Sequence, residues 1–228
     1  MAWIWQDLKV IIRITGIKMI AIIDYKAGNL KSVERALKKL GFACRITHDR
    51  EEVLNSERII FPGVGAAGKA IADLRHFGLD KALTQAFKEG TPILGICLGA
   101  QIILEKSEEN NTQCLGLLGG DVKLFPSPLF SIDNERLKIP HMGWNGVHLV
   151  RRHPVLEGIR PQDEFYFVHS YYPMPAAEPY IIGTTDYGIE FPSIIGHKSL
   201  IAMQFHLEKS GPPGLRILKN FCTWNGKI

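Results

Sequence analysis

Residues Pro92–Gln101 read PILGICLGAQ. A short apolar run enters a cysteine set between Gly95 and Gly99, and a stretch of helical character leaves it. A nucleophile displayed at a sharp turn from strand to helix needs such neighbours, because larger side chains two positions either side would collide with adjacent backbone. The helix that follows directs its free N–H groups at the thiol, which favours the thiolate and can hold a developing oxyanion. Taken alone, the pattern fits a small packing cysteine in a tight turn equally well. The rest of the chain has to supply a base.

Outward from this turn, the pattern alternates. MIAIID reads as a buried strand and NLKSVERALKKLG as an amphipathic helix, with Leu30, Val33, Leu37 and Leu40 at helical spacing and Gly41 placed to end it. ACRIT and RIIF are strand candidates, GLDKALTQAFKEG a second helix, PILGIC a third buried strand, and LGAQIILEKSEE a helix after it. This alternation predicts an α/β fold with a mostly parallel sheet flanked by helices. In the second half, DVKLF, GVHLV, FYFVHSYY, YIIGTT, SIIGHK and LIAMQFH are short strand-like runs with few helices between them, which predicts an antiparallel extension. A last helix is expected over Pro213–Trp224. No internal repeat or long linker interrupts the chain, so one domain is expected.

The base is supplied by LIAMQFHLEKS. If this run is a strand, His206 and Glu208 project from one face, so the carboxylate can hold the imidazole while it exchanges a proton with Cys97. The other histidines read as surface or locally bonded residues, and Cys44, Cys114 and Cys222 as packing residues. In FPGVGAAG, Gly63 and Gly65 follow a buried strand and can turn backbone N–H groups toward an anion, although an ordinary tight turn has the same composition.

Composition narrows the class. The chain has 228 residues, 46% of them hydrophobic, enough for one full core. Its 27 basic and 23 acidic side chains give a charge of +4 with no basic block, which argues against nucleic acid as a partner. Four cysteines at irregular spacings match neither a metal site nor a disulfide scaffold, and a reducing cytoplasm suits them. The first 18 residues mix apolar positions with Asp7, Lys9, Arg13 and Lys18, so neither export nor membrane insertion is expected.

PGVG, GICLGAQ and QFHLEKS, in this order, resemble class I glutamine amidotransferases. DYKAGNLKSV, HMGWNGV, FYFVHSYY and EKSGPPGLRILKNF resemble one branch of them, the glutaminase subunits of imidazole glycerol phosphate synthases, across nearly all of Met19–Trp224. The resemblance implies a flavodoxin-like core, hydrolysis of glutamine to glutamate and ammonia without a metal or other cofactor, and a TIM-barrel cyclase partner in a heterodimer. It implies that Cys97 attacks, His206 shuttles the proton and Glu208 orients His206. Leu98 and the Gly63–Gly65 loop would supply oxyanion donors, while Gln101, Glu109, His169, Ser170 and Tyr171 would bind glutamine. Trp144, Asn145, Tyr166 and Lys209 would face the partner near the ammonia outlet.

Three features depart from the branch. Leu207 stands where proline is usual between histidine and glutamate, Lys26 stands where glycine is common, and residues 1–18 precede the domain, expected at 19–228. The resemblance starts at Met19, so the extension is expected to be dispensable, although its VIIRI segment has the β propensity to pair with a sheet edge. Two alternatives share most of the pattern: a paralogue that supplies ammonia to a barrel amidating a surface-sugar precursor, and a binding subunit without turnover.

Overall fold

The computed structural model describes residues 19–26 and 28–227, and the 1–18 extension lies outside the described residues. MIAIID forms strand β1 (Ile20–Ile23), whose side chains are all buried. Ile20 and Ile22 enter one core, Ala21 and Ile23 the other. A strand covered on both faces has no polar side, which is why it reads as an unbroken apolar run. Strands β2 (Cys44–Thr47), β3 (Arg58–Gly63) and β4 (Ile93–Cys97) follow, joined by helices α1 (Leu30–Lys39), α2 (Arg50–Leu54), α3 (Ala67–His76) and α4 (Leu79–Lys88). Gly41, at φ 84°, ends α1 as expected, and the Phe42 N–H donates back to the Leu37 carbonyl at 3.1 Å. Helices α2 and α3 go beyond the sequence reading. The Asp49 carboxylate caps α2 by accepting from the N–H groups of Glu51 and Glu52 at 2.8 and 3.0 Å.

The helix after Cys97, α5, spans only Leu98–Ile102. The longer apolar periodicity does not continue it, because the N–H groups of Leu115, Leu117 and Gly116 take the carbonyls of Ile102, Ile103 and Leu104 at 2.7–2.9 Å. Short strands follow: β5 (Lys106–Ser107), β6 (Thr112–Gln113), β7 (Gly120–Leu124), β8 (Leu129–Phe130), β9 (Arg136–Leu137), β10 (His141–Gly146), β11 (His148–Leu149) and β12 (Glu164–His169). After them come β13 (Tyr171–Pro175), β14 (Ile181–Asp186), β15 (Glu190–His197) and β16 (Leu200–Met203), then helix α6 (Gly211–Thr223), which starts two residues earlier than expected. The run FYFVHSYY is two strands broken at Ser170: β12 pairs with β10, and β13 with β7.

The main sheet has the order β11-β14-β15-β16-β4-β3-β1-β2. Its half from β16 to β2 is parallel, and β15, β14 and β11 extend it antiparallel. One face packs under α1 and α6, the other under α3, α4 and α5. In an open sheet of this kind the carboxyl ends of the parallel strands line a crevice. Here β1, β3, β4 and β16 end together: Gly63 and Cys97 are the last residues of β3 and β4, and the segments that leave β1 and β16 carry Tyr25 and His206. Among the described residues no helix is long and apolar enough to cross a membrane.

Candidate active site

Cys97 is the last residue of β4 and adopts φ 53°, ψ −109°. A non-glycine residue holds such a conformation only when its surroundings enforce it. Gly95 and Gly99 are those surroundings. A Cβ at Gly95 would lie 2.9 Å from the Ala202 Cβ, and one at Gly99 would run into the Phe61 carbonyl. The strained turn tips the sulphur into a cavity of about 380 Å³. Val64, Gly65, Cys97, Leu98, Gln101, Glu109, His169, Ser170, Tyr171 and His206 line it.

His206 reaches this cavity from a different local structure than the sequence suggests. Strand β16 stops at Met203, and His206 precedes a 3-10 turn over Leu207–Lys209. The turn, not strand alternation, brings Glu208 beneath the ring, so His206 Nδ1–H donates to Glu208 Oε1 at 2.8 Å. Both side chains are buried. This bond leaves Nε2 facing the cavity, without a hydrogen bond of regular geometry. Burial opposes a charged imidazole, but the neighbouring Cys97 and the Glu208 carboxylate outweigh it and lift the His206 pKa to about 9. Leu207, in place of the usual proline, is fully buried and anchors the turn in the core.

Three residues that sequence reasoning does not single out contact Cys97 or this pair. Asn29 Nδ2 donates to Glu208 Oε1 from a position 179 residues away. Ser210 Oγ donates to the His206 carbonyl at 2.5 Å and accepts from the Tyr166 N–H at 3.0 Å, fastening the turn to β12. Gln204, fully buried, lies with Nε2 3.8 Å from the Cys97 sulphur. Apart from the local Ser210–His206 bond, these contacts join elements far apart in the chain, so no local pattern announces them.

The glutamine-binding candidates gather round the same cavity. Gln101 Nε2 donates to the Tyr171 carbonyl at 2.8 Å and to Gln204 Oε1 at 3.0 Å. Glu109 Oε2 accepts from the Ala67 N–H at 2.6 Å, placing a carboxylate at the start of α3. His169 Nδ1–H donates to the Tyr171 carbonyl at 2.8 Å, which leaves Nε2 to accept from His141 Nδ1 at 3.1 Å. Burial, with smaller effects of neighbours, pushes the His169 pKa down to about 3, and burial takes His141 to about 4. This pair is neutral and structural at ordinary pH. Gly63 ends β3 opposite Cys97 and does not itself line the cavity, whereas Gly65 does, at φ 101°. Lys26 sits at φ 65°, so the position does require the left-handed conformation that glycine adopts without strain.

Three of the four candidate interface residues cluster. Trp144 and Tyr166 face each other across β10 and β12 with ring centroids 6.0 Å apart, and the Lys209 ammonium lies 5.4 Å from the Tyr166 ring. Trp144 is 54% exposed, and the His206 N–H donates to the Tyr166 carbonyl at 2.9 Å, so an exposed aromatic patch backs directly onto the turn that carries His206 and Glu208. Asn145 instead donates to the Asp186 carbonyl at 2.8 Å and braces β10 against β14. A second depression, of about 420 Å³ between α3, α4 and Cys114, offers cations and a thiol with its pKa pushed up to about 11, but no paired base. Among the described residues no group of three or more His, Cys, Asp or Glu is arranged to hold a metal ion.

The site can therefore perform acyl transfer onto a thiol at a strained turn, with a carboxylate-held histidine to move the proton. The family described as glutamine amidotransferase class-I matches residues 21–224. The chain is 52% identical over 210 residues to the imidazole glycerol phosphate synthase subunit HisH of Nitratidesulfovibrio vulgaris, covering 90% of this chain and 97% of that protein. It is 49% identical over 205 residues to the protein of that name from Dehalococcoides mccartyi, covering 89% and 96%. A crystal structure of a glutamine amidotransferase, 18% identical, superposes with a TM-score of 0.68 over 90% of this chain and 99% of that one, a likeness of fold.

Proposed function

The chain belongs to the class-I glutamine amidotransferase family, and from that premise we propose that it is the glutaminase subunit of an imidazole glycerol phosphate synthase. It hydrolyses glutamine and passes the ammonia to a barrel-shaped cyclase in histidine biosynthesis. The observation that carries this reading is the strained Cys97 turn sharing one cavity with the His206–Glu208 pair.

With its pKa lifted to about 9, His206 carries a proton at neutral pH, on the nitrogen that faces the cavity. The Cys97 sulphur attacks the carboxamide carbon of glutamine, and the carbonyl oxygen takes up negative charge. The Leu98 N–H and an N–H of the Gly63–Gly65 loop receive that charge. His206 Nε2 gives its proton to the departing nitrogen, the C–N bond breaks, and a glutamyl thioester remains. His206 then takes a proton from water, the hydroxyl adds to the thioester carbon, and the C–S bond breaks to release glutamate. Gln101, Glu109 and the His169–Tyr171 segment hold the amino-acid end of the substrate.

Ammonia released into water at neutral pH is protonated and lost as a nucleophile, so an outlet is needed. Trp144, Tyr166 and Lys209 mark the partner face. The domain spans 19–228 in this reading, and the free thiols suit a reducing, cytoplasmic setting. Reconstitution with the cyclase of the same organism tests the assignment. With glutamine and the phosphoribulosyl formimino aminoimidazole carboxamide nucleotide, the complex should yield imidazole glycerol phosphate and aminoimidazole carboxamide ribotide. Product from a sugar acceptor and none from the nucleotide would move the chain to the surface-sugar branch.

A further inference from the structure

Tyr25 leaves β1 beside the active site, with its ring 2% exposed and packed on Phe61 at a centroid distance of 5.4 Å. Its hydroxyl is buried and has no hydrogen-bond partner. Buried donors without acceptors are rare in native proteins because each forfeits the bonds it made to water. Burial, with the Cys97 sulphur nearby, drives the phenol pKa far upward, so the group remains a donor whatever the charge state of the site.

What the hydroxyl touches is the oxyanion loop. It abuts Gly63 so closely that a Cβ there would overlap it, and the same Cβ would lie 3.1 Å from the Cβ of Leu98. Tyr25 does not line the catalytic cavity, whereas Val64 and Gly65 do, so the loop lies between the hydroxyl and the substrate space. Val64 is partly exposed and flanked by two glycines, a frame in which a single peptide unit can rotate without moving its neighbours far. Rotation of a peptide reverses both of its dipolar ends. An N–H turned toward the substrate oxygen sends the carbonyl of the same unit to the opposite side.

We propose that Tyr25 is a positioning residue for glutamine hydrolysis: its hydroxyl accepts no role in the resting loop and becomes the hydrogen-bond donor that holds a Gly63–Val64 carbonyl once the loop aims its N–H at the oxyanion. The inference rests on the glutaminase reading and adds to it a latch outside the triad and outside the substrate cavity.

The test is Tyr25→Phe in the reconstituted complex with the cyclase, which removes one oxygen atom and keeps the ring. The wild-type complex is the control: if it fails to turn over glutamine, the glutaminase reading is wrong, independently of Tyr25. Given turnover, the latch predicts a kcat lowered by about tenfold or more, since it governs an oxyanion donor. The glutamine KM should stay within about twofold, because ground-state binding does not use the latch. Melting temperature should be equal or higher, because an unpaired buried hydroxyl has gone. A kcat within about twofold of wild type overturns the proposal, and so does a kcat loss accompanied by a lower melting temperature. A crystal structure of the Cys97→Ser complex with bound glutamine checks it directly. Tyr25 Oη within about 3.2 Å of a loop carbonyl oxygen supports the latch, and a hydroxyl still without an acceptor overturns it.

Discussion

Gly99 lies so close to the Phe61 carbonyl that any side chain there forces the Cys97 turn open. The obstacle is backbone, which cannot swing aside as a side chain can, so Gly99→Ala is expected to destabilise by about 1–3 kcal/mol. Thermal melting should show a fall of several degrees, together with loss of glutamine turnover. Glu208 acts one bond further from the chemistry. Glu208→Gln keeps an acceptor for the His206 Nδ1–H and removes the negative charge, so kcat should fall while KM hardly moves. An NMR titration should find the His206 pKa below its present value of about 9. Cys97, His206 and Glu208 were legible because short motifs with a mechanical reason contain them. Asn29, Ser210, Gln204 and Tyr25 were not, since each works through a contact between segments that only the folded sheet brings together.

At the scale of elements, the parallel strands were legible because burial on both faces makes them continuous apolar runs, as in β1 and β4. The helix after Cys97 is shorter than its sequence predicts, for a physical reason. ILEKSEE has helical composition, but the carbonyls at the end of α5 bond to the Leu115–Leu117 backbone, so tertiary pairing overrides propensity. His206 likewise lies beyond the strand its sequence predicts: alternation would put positions 206 and 208 on one face, and a 3-10 turn achieves the same proximity. The β10–β12 ribbon carries the prediction at this scale. Trp144 is more than half exposed, so Trp144→Ala should leave the melting temperature of the free subunit within about 1 °C, as surface changes do. If the ribbon docks the cyclase, the same substitution should weaken association by about 2 kcal/mol or more, roughly thirtyfold in Kd. Thermal melting of the free subunit checks the first expectation and isothermal titration with the cyclase the second, and unchanged affinity would remove Trp144 from the interface.

For the molecule as a whole, the histidines whose pKa is displaced fall on two sides with opposite pH signatures: burial lowers His141, His153, His169 and His197, and His206 is raised. His141, His153 and His169 are held neutral by burial, with pKa values pushed down to about 4, 4 and 3 against an ordinary 6.5. Protonation would also cost His153 Nδ1 the bond it accepts from the Val155 N–H. Lowered values mean that the unfolded chain binds protons first, so their contribution is complete above pH 6.5 and is lost as pH falls toward 4. His206, raised to about 9, has the reverse sign: its contribution is complete below pH 6.5 and is lost as pH rises through 9. Melting temperature should therefore peak near pH 6.5, and His206→Asn should flatten the alkaline limb while leaving the acid limb in place. A limb that persists in the variant would assign it to other groups. If Cys97 serves only to free ammonia from glutamine, the reconstituted complex carrying Cys97→Ala, supplied with the nucleotide and either glutamine or an ammonium salt, shows it most directly. The expected result is no product from glutamine and a wild-type rate from ammonium; glutamine-driven product in the variant would show that Cys97 is not the nucleophile.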